Sequence, residues 1–361
     1  MKFDLNKRIV NSAKLLWLLG FVVSSLNMSA QGKQDDGVNL EKVPRRLIRA
    51  CCAFGYDLKL WGVPFVNIDQ VISVDELGKH HYMGNKEEGT GTIYTHKGGF
   101  IDMGHLRDQI DWTRYLYAVI LKSRGKGEVI LRLHNEAGRK TLVLNVPAQL
   151  DDSDCILLAG KITYDLSLWH EISTWFGASA LPLIPEKFSS FSVEDVYSNL
   201  LGVHVGMKTL HSNLPYNEAA TKNIVAALDS LGVVKTVKET YDAYDAIHNK
   251  WYTNKKRIPH TNITLKRDPD VLHVARPWTI PNQETNSGDP IILKVPLLNT
   301  KGELLTNFYQ FTIALNSKIP AEELFPNHQS RLINQNDFGV LLAKITNDLQ
   351  IKEQNILVEN E

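Results

Sequence analysis

Two short stretches of this sequence set acid–base and metal-ligating side chains close together. The first is Gly98-Gly99-Phe100-Ile101-Asp102-Met103-Gly104-His105-Leu106-Arg107-Asp108, which opens on a glycine pair and is expected to run as a helix to about Lys122. Residues three apart on a helix share a face, so His105 and Asp108 can meet. That side also carries Trp112, Tyr115, Leu116 and Val119. Aromatics mixed with His and Asp do not describe a face turned to bulk solvent. The second stretch is Trp169-His170-Glu171. It begins like the zinc-protease motif, which needs a second His four residues on so that both imidazoles reach one metal. Thr174 stands there, so the motif fails.

His170 can still bind an ion with groups from other helices, as helical-bundle metal sites do. His105, Asp108, His170, Glu171, Glu194 and Asp195 are the candidate ligands. Adjacent helical residues point roughly 100° apart. Of His170 and Glu171, one would therefore ligate and the other act as base or outer support. The expected centre is an ion such as zinc on His105, His170 and Asp108 or Glu194, with an open position for water. The ion would bring that water's pKa towards about 7. Glu171 would take its proton, which makes Glu171, His170 and His105 the candidate catalytic residues. Two alternatives stand beside it. One is a buried polar network that satisfies only itself. The other is a nucleophilic Cys51 or Cys52 served by His105 or His170 and a carboxylate. No phosphate-binding loop and no serine nucleophile elbow is present.

The elements that must hold these residues follow from periodicity and punctuation. Gly91-Thr92-Ile93-Tyr94-Thr95 alternates like a brief strand leading into the glycine turn. Asp75 to Gly91, polar and glycine-rich, reads as an exposed loop. On the first helix Arg107, Asp111, Arg114 and Ala118 form a narrow polar stripe, with Arg107 and Asp111 spaced to pair. Glu128–His134 and Arg139–Val146 are β-prone runs around a turn, a hairpin. Asp151 to Asp154 caps a second long helix, and Gly177 ends it. Its stripe of Thr163, Ser167, His170 and Thr174 is polar but uncharged, which suggests close packing or a lined site. Ser192-Val193-Glu194-Asp195 reads as a capping box for a third helix, in which Gly202 and Gly206 are weak points. Helices are expected over Pro215–Leu231, Thr236–Trp251 and Phe338–Leu349. A second hairpin is expected from Ile291–Leu298 and Leu304–Leu315. The fold class is α+β, with central packed helices and flanking β-hairpins.

Composition excludes some partners. The 361 residues carry 40 basic and 40 acidic side chains, so no excess charge points to nucleic acid. At the N-terminus, Lys2, Lys7, Arg8 and Lys14 precede an apolar run, Leu15 to Val23, then small and polar residues to Ala30. This is the order of a secretory signal peptide, with cleavage expected after Ala30. The run is short for a transmembrane span, and no transmembrane segment is expected in the mature chain. The expected divisions are a signal peptide at 1–30, a disordered leader at 31–43, a main domain at 44–320 and a C-terminal helical extension at 321–361. The location would be periplasmic or extracellular. Cys51, Cys52 and Cys155 form an odd count, which leaves at least one thiol free or paired between chains.

Several motifs together resemble a bacterial exported family of unknown function, of the domain-of-unknown-function 4056 type. They are Arg49-Ala50-Cys51-Cys52-Ala53-Phe54-Gly55, Gly98-Gly99-Phe100-Ile101-Asp102 with His105, Arg107 and Asp108, Trp169-His170-Glu171 with Thr174-Trp175-Phe176-Gly177, and Phe191-Ser192 with Glu194-Asp195 and Tyr197-Ser198-Asn199-Leu200. The resemblance spans about Pro44 to Leu315 and implies no activity. The residues support a metal-assisted hydrolase acting on an envelope or extracellular substrate, with peptide, glycan and lipid all open. The competing class is a non-catalytic envelope protein that is structural or binds a ligand, with Trp112, Tyr115, Trp169, Trp175 and Tyr197 as an aromatic pocket.

Overall fold

In the computed structural model, which describes residues 37–49, 53–61, 63–68, 70–179, 186–280, 288–328 and 330–358, the glycine pair makes a hairpin turn and not a helix start. Strands β1 (Leu58–Leu60) and β2 (Val63–Ile68) come first, followed by β3 (Thr92–Thr95) and β4 (Gly99–Asp102). β3 and β4 pair antiparallel, with Thr95 opposite Gly99. Gly99 has φ +69°, a region that side chains other than hydrogen rarely enter. The first helix, α1 (Met103–Ser123), therefore begins after Asp102, whose carboxylate caps it by accepting the His105 N–H at 2.9 Å.

Helix α2 (Asp152–Trp175) starts as expected on an Asp151 cap and stops before Gly177, which has φ +87°. Helix α3 (Val193–Leu210) follows Ser192, but the capping box does not form. The Ser192 hydroxyl donates instead to Glu194 Oε1, at 2.9 Å. Helices α4 (Tyr216–Ser230) and α5 (Val237–Ile247) complete the run.

α1 is wedged between α2 and α3, which also touch each other. Gly202 and Gly206 allow the closest of these approaches. A Cβ at Gly202 would lie 2.3 Å from the Leu106 carbonyl oxygen, and one at Gly206 3.0 Å from Thr113 Cβ. The two glycines are where α1 seats, not merely weak helix formers. Thr163 and Ser167 are fully buried at the α2 side of the same packing.

The polar stripe of α1 is not solvated. Arg107 and Asp111 are fully buried, because the loop before β3 folds over them. That loop is not exposed throughout: His80 and Glu88 within it are buried too. Arg107 approaches Glu88 and donates to the carbonyls of Leu77 and Gly89. Asp111 pairs with Arg49 and His80, so the Arg107–Asp111 pair does not form.

β5 (Glu128–Arg132) and β6 (Gly138–Asn145) form the expected first hairpin. Of the second expected hairpin only the turn forms, where Leu298 bridges Leu304 antiparallel. After β7 (Arg257–Ile258), which pairs with β1, the short β8 (Val274–Ala275) pairs with β9 (Leu293–Lys294). β10 (Tyr309–Leu315) instead runs antiparallel along β6 from Tyr309–Leu144 to Leu315–Gly138. The reason is burial. Tyr309, Phe311, Ile313 and Leu315 alternate inward on β10, and Leu142 and Leu144 do so on β6, so side-by-side pairing makes one apolar face. Helix α6 (Ala321–Leu324) then leads to β11 (Leu332–Asn334), which extends the sheet to the order β11-β10-β6-β5. Helix α7 (Phe338–Val358) begins with Phe338 stacked on Trp169, ring centroids 5.8 Å apart.

The architecture is α+β, with packed helices and hairpins around them. Val38, Leu40 and Val43, from the expected leader, pack against the core. The expected signal peptide, Cys51 and Cys52 lie outside the described residues. Cys155 is buried as a free thiol. No helix among the described residues is long and apolar enough to cross a membrane.

Candidate functional site

Where α1, α2 and α3 meet, the chain gathers an unusual number of carboxylates. Asp102 comes from the end of β4, His105 from the first turn of α1, and Glu171 from the last turns of α2. Glu194, Asp195 and Asn199 come from the start of α3. None of these six is more than 3% exposed.

His105 is held on both ring nitrogens. Nδ1 lies 3.1 Å from Asn199 Oδ1, an oxygen that also accepts from Gln109 Nε2 at 2.7 Å. An amide oxygen only accepts, so Nδ1 carries the proton in this contact. Nε2 points to Asp195 Oδ1 at 3.4 Å, an ion-pair distance without hydrogen-bond alignment. Asn199 in turn donates from Nδ2 to Glu171 Oε1 at 3.4 Å, and Glu171 Oε2 accepts the Phe191 N–H at 2.8 Å. A line of support thus runs from the Phe191 backbone through Glu171 and Asn199 to the imidazole. This is how metal-ligating histidines are commonly oriented.

The electrostatics are lopsided. Burial alone would lower the His105 pKa, but the carboxylates of Asp195, Asp102 and Glu171 outweigh it and hold it up at about 9. Burial raises Asp195 to about 8, with Glu171 and Asp102 adding to the shift and His105 opposing it. Burial and the neighbouring Asp195 push Glu194 well above the carboxylate range. Glu194 Oε2 and Asp195 Oδ1 have no hydrogen-bond partner. Buried carboxylate oxygens without a donor demand either a proton or a cation. Asp102, His105 and Asp195 each offer one donor atom within 4.8 Å of the other two, and together they could hold a metal ion.

The expected ligands are only partly brought together. His105 and Asp195 meet, and Glu194 stands beside them on α3. His170 is near, with its ring centroid 6.5 Å from that of His105. Its Nδ1, however, is engaged by Glu136 Oε1 at 2.5 Å. Glu171 is held by Phe191 and Asn199, so it supports His105 rather than standing ready as a base.

Asp108 belongs elsewhere. Its carboxylate accepts from the Ile48 N–H at 2.8 Å and from Arg49 Nη1 at 3.1 Å. Arg49 also binds Asp111 at 2.9 Å and Glu88 at 2.6 Å, so Asp108 is part of a strap tying residues 48–49 and the loop before β3 to the back of α1. Burial raises its pKa to about 6 despite Arg49.

Sequence reasoning missed Asp102 and Asn199. Asp102 stands three residues before His105, as Asp108 stands three after. Helical side chains lean towards the N-terminus, so His105 leans to Asp102. That lean, and the N-cap spacing, were the available signals.

Near this centre, Arg46 has all three guanidinium nitrogens buried and without a hydrogen-bond partner. It lines a small cavity of about 10 Å³ with Trp112, Leu133 and Lys140.

The family described as Protein of unknown function (DUF4056) matches residues 39–281, more than half of the chain, and the chain belongs to that family. No curated protein and no solved structure matches it.

Proposed function

We propose that the chain is an exported metal-dependent hydrolase whose ion, zinc or a similar divalent metal, is held by Asp102, His105 and Asp195. The observation that supports this most is Glu194 Oε2, buried without a hydrogen-bond partner next to Asp195, whose Oδ1 meets only the His105 ring, at 3.4 Å. A tetrahedral zinc with bonds of about 2 Å holds its ligands roughly 3.3 Å apart, and His105 Nε2 and Asp195 Oδ1 stand 3.4 Å apart. The ion would supply an activated water. Glu194, not Glu171, offers the oxygen to receive that water's proton. Glu171 and Asn199 fix the imidazole so that Nε2 faces the ion. The substrate would be an envelope or extracellular molecule.

Metal analysis of the purified mature chain tests this reading. Near-stoichiometric metal in wild type and its loss in His105→Ala are expected. Wild-type protein that stays metal-free after zinc or manganese is added would remove the reading. Export is tested apart from it: N-terminal sequencing of the secreted form should begin near Gln31, whereas an intact Met1 in a membrane fraction would argue for an anchor.

One observation favours a second reading, a non-catalytic envelope protein. None of the groups of the centre is more than 3% exposed, whereas a catalytic ion must be reached by water and substrate. Glu194→Gln separates the two: a base cannot survive that change, and a structural site can.

A further inference from the structure

A cavity of about 400 Å³ is lined by Arg267 but by none of the carboxylates of the centre. Its wall is made by Trp175 at the end of α2, Lys187 in the following loop, Arg267, and Asp348, Ile351 and Lys352 on α7. The volume is in the range of small-molecule sites. The charges lining it do not balance: three cations face a single acid, Asp348, which is itself paired with Lys344 at 2.7 Å.

Arg267 is fixed in place. One terminal nitrogen donates to the Ser190 carbonyl, and the other to those of Phe188 at 2.9 Å and Thr261 at 3.0 Å. Those bonds hold the guanidinium but do not neutralise it. Lys187 and Lys352 are each half-buried, and neither has a carboxylate within ion-pair distance among the described residues. Burial and the repulsion of Arg267 hold both ammonium groups below the usual lysine range, with Asp348 opposing at Lys187 and Lys187 adding to the repulsion at Lys352. Like charges gathered in a concave, partly desolvated place repel one another and raise the local concentration of anions. Trp175 is buried behind these cations, with Lys187 Nζ 4.2 Å and the Arg267 guanidinium carbon 5.8 Å from its ring centroid, so the ring holds them in place. Ile351 adds apolar surface.

We propose that this cavity binds a small organic anion, its phosphate or carboxylate group between Lys187 and Lys352 over Arg267 and its apolar body against Ile351. Arg267 then serves two sides, since Glu171, Glu194 and Asp195 lie within its field on the other. The site stands independently of whether a metal occupies the carboxylate centre.

The test is calorimetric titration of the full mature chain with phenyl phosphate, beside phenol and inorganic phosphate at matched ionic strength. Phenyl phosphate should bind more tightly than either control. The Lys187→Gln/Lys352→Gln double variant should weaken it by tenfold or more, with the melting temperature no lower, because neither lysine has an ion pair to lose and both are repelled by Arg267. Ile351→Ser, at an exposed position, should weaken phenyl phosphate while leaving inorganic phosphate alone. Binding should persist after chelation of metal. The proposal is overturned if phenyl phosphate fails to bind at millimolar concentration, if the double variant binds it as wild type does, or if chelation abolishes binding.

Discussion

His105 and His170 face each other across the α1–α2 interface with ring centroids 6.5 Å apart, yet their Nδ1 atoms are committed to different elements, Asn199 on α3 and Glu136 in the β5–β6 turn. The two imidazoles are neighbours without being partners. His170→Ala should therefore leave metal content near wild type, while His105→Ala abolishes it. Equal loss in both, measured by elemental analysis, would show that the rings share the ion.

The metal-free protein should lose stability as pH rises from neutrality. The folded His105 pKa, about 9, lies above its ordinary 6.5, so its contribution is complete below about 6.5 and fades through 9. Asp195, raised from 3.8 to about 8, also holds its proton longer when folded, and its contribution fades over that range. Each extra proton bound by the folded state tilts stability by about 1.4 kcal/mol per pH unit. Metal must displace these protons, so its affinity should climb over the same range. Thermal melts of chelated protein at pH 6 to 9 check the first point. A flat profile in wild type would contradict it.

Asn199 should act through His105. Asn199→Ala removes the Nδ1 acceptor and should lower metal affinity by about 10- to 100-fold, the usual loss for such supporting groups. Asn199→Asp keeps the acceptor and should recover much of it. Zinc titration against a chromophoric chelator reads both. No difference between the two variants would mean that the amide only packs.

Arg49 and Arg46 should respond in opposite directions. Arg49→Met strips the partner from Glu88, Asp108 and Asp111 and should cost on the order of 3–5 kcal/mol. Arg46→Met removes a buried cation that has no hydrogen bond and should raise the melting temperature. A charge kept at a cost to stability is kept for something else. A comparable fall for Arg46→Met in denaturant unfolding would disprove the contrast.

Gly202→Ala should destabilise by about 1–3 kcal/mol, because the new methyl meets the Leu106 backbone at 2.3 Å. Full stability in the alanine variant would show that α1 and α3 are free to part.

Much of the helical centre was legible. The Asp151 cap, the Gly177 stop and the amphipathic α4 followed from local rules, and the polar–aromatic face of α1 is buried. Its partners were legible only in part. Spacing alone treats Asp102 and Asp108 alike, and what separates them is where β4 ends and where Arg49 docks. Arg49 is some 59 residues from Asp108 in sequence, and no helical period reports such a contact. The second hairpin failed for the same reason. A turn-like Asn299-Thr300-Lys301-Gly302 favoured a local partner, while the apolar alternation of β10 is satisfied by β6, far earlier in the chain.

The pairing of β6 with β10 bears on how this molecule is made. The family match ends at residue 281, and β10 begins at Tyr309. Synthesis delivers β5 and β6 early. Until Tyr309–Leu315 arrives, one edge of β6 presents bare N–H and C=O groups beside Leu142 and Leu144, the kind of edge that recruits a strand from another molecule. Closing so long a loop is also slow. A fragment trimmed at 281 would keep every carboxylate of the centre and still be sticky. Residues beyond the family boundary thus cover a strand edge that the matched region of this chain would leave open.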